Sequence, residues 1–168
     1  MAVALEIVSG GQTGVDRGAL DAALDTGMPC SGWCPRGRLA EDGRIPDRYP
    51  LEELDGGYEE RTRRNVEDSD GTLIIYSGSL SGGTLSTLEF CVELRKPFLL
   101  VDASEVIAAD GAVEVRHFVA ENRIRRLNVA GPRESGWPAA SAYAYTLVRA
   151  SLPMMDDSVP PDTRRGGA

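Results

Sequence analysis

VALEIVSGGQTGVDRGALDAALDTG, residues 3–27, is the stretch on which the fold turns. Its first six residues form a short apolar run bounded by glycines, the pattern of a strand buried on both faces of a parallel sheet. Residues 9–16, SGGQTGVD, read as a turn. Residues 17–27 read as a helix closed by Gly27, because glycine readily takes the left-handed conformation that ends helices.

The same order of strand, glycine turn and helix recurs downstream. GTLIIYS at 71–77 is the clearest strand; it runs into GSLSGGT at 78–84 and then a helix over about 85–95, which Lys96-Pro97 breaks. FLLV at 98–101 reads as a third strand, with a helix over 112–123. RLNVAG at 126–131 reads as a fourth strand ending in the turn GPRESGWP, with a last helix over about 138–151. YEERTRRNVED at 58–68 is a further helix, and the proline- and glycine-rich residues 28–50 read as an irregular functional loop. Strands alternating with helices predict an α/β layer fold with a mostly parallel sheet.

In such a sheet every strand-to-helix turn lies at the carboxyl edge, where ligands bind. Three of these turns are glycine-rich: SGGQTG after the first strand, GSLSGGT after the second, and AGPRES after the last. Each leads into a helix N-terminus, whose first N–H groups are unpaired and whose dipole is positive, so it holds an oxyanion without net positive charge. Gly10, Gly11 and Gly14 let the backbone approach a ligand closely and take positive φ, and Thr13 adds a hydroxyl beside Gln12. Gly82, Gly83 and Thr84 repeat the arrangement with Ser79 as a further hydroxyl. Gly131, Arg133, Glu134 and Ser135 form the third wall, where an arginine can grip phosphate bidentately. Asp16 is either a first-turn acid of its helix or a ligand contact, with Arg17 beside it. Arg61, Arg63 and Arg64 form a solvated helix face or a phosphate grip, and Glu89 is either solvent-facing or a general base. The turns imply anion binding and leave the reaction, if any, open.

Composition narrows the classes. The chain has 168 residues, 42% hydrophobic and 26% charged, an ordinary globular balance that needs no disulfide or metal staple. One domain over 1–152 and a disordered, proline-rich tail over 153–168 are expected. No apolar stretch reaches the roughly 18 residues of a membrane span, and the start lacks a signal peptide's basic region, so a cytoplasmic protein without membrane contact is expected. Against 18 basic residues stand 26 acidic ones, a net charge of −8 without a basic stripe, which argues against nucleic acid as a partner. Cys30 and Cys34 are spaced C-x3-C, Cys91 stands apart, and His117 is the lone histidine; this is a poor ligand set for a metal and reads as reduced, mostly buried thiols.

The blocks GGQTGVDRGALDAA (10–23), CPRGRLAEDGRIPDRYPL (34–51), YEERTRRNVEDSDGTLI (58–74), SGGTLSTLE (81–89), KPFL (96–99) and LNVAGPRES (127–135) resemble the molybdenum carrier family. That family is a bacterial branch of the Rossmann-like superfamily that includes the lysine decarboxylase-like phosphoribohydrolases. The resemblance covers about residues 4–150. It implies a Rossmann-like three-layer fold, a homo-oligomer, and a phosphate-bearing small molecule at the carboxyl edge. Molybdenum cofactor (molybdopterin) is the implied ligand and a molybdoenzyme its implied recipient. The phosphoribohydrolases carry P-G-G-x-G-T-x-x-E, whose glutamate and an upstream arginine act in catalysis. Here the turn reads S-G-G-T-L-S-T-L-E, with Glu89 displaced relative to its threonine and Arg61 as one candidate arginine. A carrier of a phosphate-bearing cofactor is therefore the first reading. A nucleoside 5′-monophosphate hydrolase using Glu89 and Arg61, or a nucleotide-sensing module, is the alternative.

Overall fold

The computed structural model describes residues 4–152. The tail expected over 153–168 lies outside the described residues. The chain begins with β1 (Glu6–Val8), α1 (Val15–Asp25) and β2 (Cys30–Ser31). An arm follows with β3 (Trp33–Pro35), β4 (Leu39–Ala40), β5 (Gly43–Arg44) and β6 (Glu52–Leu54). Then come α2 (Tyr58–Glu67), β7 (Gly71–Tyr76), α3 (Gly82–Glu93), β8 (Phe98–Asp102), α4 (Ala108–Glu121), β9 (Arg126–Ala130) and α5 (Ala140–Ser151).

Five strands pair in the order β2-β1-β9-β7-β8, and every pairing is parallel. The expected α/β architecture with a mostly parallel sheet is therefore present. Side chains alternate along β7, as a strand's period of two requires. Leu73 and Ile75 enter one core with Ile7, Leu127 and Val129, under α1, α4 and α5. Ile74 points the other way and packs with Val66, Phe90 and Cys91, beneath α2 and α3. These are the three layers.

Helices α1 and α5 approach closely because small residues face each other. A Cβ at Gly18 would stand 2.3 Å from the Ser141 carbonyl oxygen, so only glycine fits there. The strand order matters more for function. It sets β1, β9 and β7 side by side, so the three glycine turns that follow them become neighbours at one edge.

Two expectations are corrected. Helix α3 starts at Gly82, so Gly82, Gly83 and Thr84 are its first turn rather than a loop before it. The segment 28–50 is no irregular loop but, with β6, an ordered arm. Its β3–β6 pair is parallel, its β4–β5 pair is an antiparallel hairpin, and Leu20, Cys34, Ile45, Tyr49 and Leu51 form a core of their own. Arg38 explains how a segment without hydrophobic period becomes ordered. Its buried guanidinium donates to the carbonyls of Ile45 and Leu51 at 3.1 Å and of Pro46 and Tyr49 at 2.9 Å. Periodicity cannot reveal a cation that replaces a ladder. The three cysteines are free, and burial pushes each thiol above its usual range, as expected for inert thiols.

Replacing Arg38 with Met keeps the stem and removes the guanidinium from four carbonyls, of which Pro46 and Tyr49 keep the N–H groups of Tyr49 at 3.2 Å and Leu51 at 2.8 Å. The expected loss is about 2 kcal/mol or more in chemical denaturation, since the Ile45 and Leu51 carbonyls lose the guanidinium and each buried acceptor left alone costs about 1–3 kcal/mol. A loss below about 1 kcal/mol would mean water substitutes for the guanidinium.

Candidate functional site

A cavity of about 640 Å³ opens at the carboxyl edge, bounded by the three glycine turns and the inner face of α2. Its floor is set by an ion pair. Asp16 lies in the first turn of α1, where a carboxylate suits the helix dipole. Its Oδ2 accepts from the Gln12 N–H at 3.1 Å and from Arg61 Nη1 at 3.2 Å. The two side chains are only 8% and 13% exposed, so this is a buried pair rather than a surface one. Burial pushes the Asp16 carboxyl above the ordinary aspartate range, against the opposing pull of Arg61.

Arg61 reaches the pair from α2 by lying against the backbone of the first turn. A Cβ at Gly10 would fall 1.6 Å from Arg61 Nη1, so glycine is what admits the guanidinium. Arg61 Nε is buried and has no hydrogen-bond partner among the described residues. One turn further along α2, Asn65 is spent on structure: its amide accepts from the Trp33 N–H at 2.8 Å and donates to the Trp33 carbonyl at 3.0 Å.

The second turn supplies the other donors. The first intrahelical bond of α3 runs from the Leu85 N–H to the Ser81 carbonyl, so the N–H groups of Gly82, Gly83 and Thr84 precede the ladder. No side chain caps them, and no acidic residue sits in this first turn. Asp102, at the end of β8, braces the approach by accepting from the Gly78 and Ser104 N–H groups at 2.9 Å. Those bonds hold its carboxyl below the ordinary range.

The residues anticipated for the site divide in two. Gly10, Gln12, Asp16, Arg61, Ser79, Gly82, Gly83, Thr84, Gly131, Arg133 and Ser135 line the cavity. Gly11, Thr13, Gly14, Arg17, Glu134 and Glu89 are not among its lining residues. Gly11 has φ +78°, as a tight turn requires, but its missing Cβ points at Leu51 and Ile45 and not at a ligand. Gly14, at φ +81°, makes room for the backbone of Pro132 and Arg133. Thr13 and Arg17 hold the β4–β5 hairpin, bonding Glu41 and Asp42. Glu134 turns toward α5 and accepts from the Ser141 N–H at 3.3 Å. Glu89 is exposed on α3. Sequence reading missed Tyr58, Thr87, Asn128 and Trp137, which also line the cavity. Asn128 carried the one available signal, a polar residue inside an apolar strand.

Residues 7–152 match the circularly permutated YpsA SLOG family. The chain belongs to that family. It is also similar to a solved structure, the "Putative molybdenum carrier protein" from Syntrophus aciditrophicus SB. The identity is 41%, the TM-score 0.87, and the match covers 90% of this chain and 96% of that one. No curated protein matches the chain. The resemblance to molybdenum carriers seen in the sequence blocks therefore holds across the whole fold of this YpsA SLOG member. Among the described residues no helix is long and apolar enough to cross a membrane.

The ion pair at the floor makes this family member's stability depend on pH in a definite direction. A carboxyl whose folded-state pKa is raised binds its proton more readily in the native state than in the unfolded chain. Asp16 therefore contributes less as pH rises from the ordinary aspartate range through its raised value. Asp16→Asn should flatten the plot of melting temperature against pH across that window. An unchanged profile would assign the titration to another group.

Proposed function

We propose that the cavity binds a phosphate-bearing small molecule, with the phosphate against the first turn of α3 and Arg61, and that molybdenum cofactor is this ligand. The observation that carries the reading is the pairing of an orphaned, buried Arg61 Nε with an uncapped helix N-terminus across one cavity. Both features carry donors of the kind an anion accepts from, and neither has a partner among the described residues.

The rest of the cavity suits such a ligand. Its volume of about 640 Å³ falls within the range of small-molecule pockets, about 300–1,000 Å³. Tyr58 and Trp137 bring aromatic rings to the lining, a side-chain type on which a planar ring such as a pterin stacks. Among the described residues no group of three or more His, Cys, Asp or Glu is placed to hold a metal ion. Molybdenum cofactor does not need one, because its own dithiolene carries the metal. When bound, the cofactor would supply the redox-active centre, while this chain's residues bind, orient and shelter it.

The reading is one of binding and release. The acid–base residue a hydrolase would use, Glu89, does not line the cavity. A carrier hands its ligand on, so a molybdoenzyme is the proposed recipient and a homo-oligomer the proposed state. The similarity to a protein described as a molybdenum carrier supports the same reading.

Titration of the apoprotein with the cofactor, followed by oxidised-pterin fluorescence, tests it, with AMP and ADP-ribose as competitors. Gly83→Val is the informative variant. A Cβ there meets nothing within 4 Å, so the fold should tolerate it and the melting temperature should stay close to wild type. The added branches crowd the phosphate's donors, and affinity should fall by about tenfold or more, the scale of one charge-assisted hydrogen bond. Equal affinity in a folded Gly83→Val protein would move the phosphate elsewhere, and tighter binding of nucleotide than of cofactor would favour nucleotide sensing.

A further inference from the structure

The β4–β5 hairpin places a carboxylate on the rim of the cavity, seated on donors that belong to the turns below. Glu41 Oε1 accepts from the Thr13 hydroxyl and from the Ser135 N–H at 3.1 Å. Its Oε2 accepts from the Ser135 hydroxyl at 2.5 Å and lies 3.9 Å from Arg133 Nη1. The Thr13 hydroxyl is fixed in direction, because it accepts from the Glu134 N–H at 3.2 Å and so must give its own proton to Glu41. One backbone N–H, two hydroxyls and a guanidinium thus converge on two oxygens. Phosphate fits that set of donors as well as a carboxylate does. Ser135 and Arg133 also line the cavity, so the set borders the site described above.

The hairpin is held to the body mainly by polar contacts, among them the Glu41 N–H to Gln12 Oε1 at 2.9 Å. Its stem is fixed at both ends, at the buried Arg38 and at fully buried Ile45, whose N–H donates to the Arg38 carbonyl at 2.7 Å. Between them, residues 39–44 hold the body through polar groups. Leu39 is 55% exposed, Gly43 has φ +115° and open space around it, and Ala40 alone packs against the arm's core. Asp42 adds a second carboxylate, paired with Arg17 at 2.8 Å. The Glu41 side chain is only 19% exposed although it sits on this open tip. A segment with so little apolar burial opens at low cost once its polar contacts are replaced.

We propose that Thr13, Arg133 and the Ser135 N–H and hydroxyl form a second oxyanion seat, that Glu41 competes for it with an anionic group of the ligand, and that the β4–β5 hairpin is the lid this exchange releases. The ligand class is one with two separated oxyanionic groups, one on the first turn of α3 and one at the rim. The proposal rests on the reading that the adjoining cavity takes an anionic ligand.

Inorganic phosphate is the probe. Glu41→Ala should bind it about tenfold more tightly than wild type, the scale of one competing charge-assisted hydrogen bond removed. Glu41→Gln keeps the shape and should lie between the two. Adding Arg133→Met and Ser135→Ala to Glu41→Ala should abolish the gain. In the wild-type protein, saturating phosphate should speed hydrogen exchange of the amides over 39–44, which needs no variant to fold. Phosphate affinity unchanged in Glu41→Ala, a gain that survives loss of Arg133 and Ser135, or exchange over 39–44 that slows with phosphate would each overturn the seat. Failure of the cofactor to bind while Glu41→Ala gains phosphate would leave the seat standing and remove only the cofactor assignment.

Discussion

The ion pair between Asp16 and Arg61 ties the two helical layers together at the edge where the cavity lies. Asp16 belongs to α1 on one face of the sheet and Arg61 to α2 on the other, and the guanidinium reaches its partner by lying on the bare backbone of Gly10. Such a buried pair stabilises a fold weakly, because desolvation offsets the attraction, and the raised Asp16 carboxyl is the sign of that cost. Its consequence is geometric. Asp16 takes Nη1, and Nε stays buried without a partner among the described residues, on a side chain that lines the cavity. The position of the first turn, the identity of residue 10 and the availability of a cation at the floor all follow from one contact.

The α/β architecture and the edge that carries the cavity were readable because they rest on local signals. Apolar runs closed by glycine mark parallel strands, and a glycine turn entering a helix marks their carboxyl ends. What could not be read is whatever depends on contacts distant in sequence. The arm is ordered by Arg38, a single cation satisfying four carbonyls, and nothing in its spacing announces that. The Asp16–Arg61 pair spans 45 residues, so each member alone looked like an ordinary helix charge. Thr13 and Arg17 looked like ligand contacts because their turn does face the site, yet both side chains are turned to the hairpin.

The glycines make the same point more sharply. Those that decided the reading of the turns meet three different demands. Gly10 admits a side chain, Gly11 and Gly14 take positive φ where neighbouring chain packs close, and Gly83 borders open space. A sequence shows only identical residues. Gly82 and Gly83 are the ones whose missing side chains leave open space, and both lie inside a helix rather than in the loop where a binding glycine was expected.

An acidic chain of net charge −8 that binds an anion must do so against its own long-range field. Screening limits that field to about 8–10 Å at ordinary ionic strength, so local donors decide the outcome. The two ends of the cavity meet this condition differently. At the floor, Arg61 Nε and the first N–H groups of α3 have no internal anion to satisfy them. At the rim, Glu41 satisfies the Ser135 N–H and the hydroxyls of Thr13 and Ser135, and Asp42 satisfies Arg17. At the floor a ligand anion would find unpartnered donors beside the Asp16 carboxylate, whereas at the rim it would have to displace Glu41. Floor contacts would therefore form first, and for a ligand that spans both ends their free energy would add to the exchange at the rim, so such a ligand would open the hairpin at lower concentration than free phosphate.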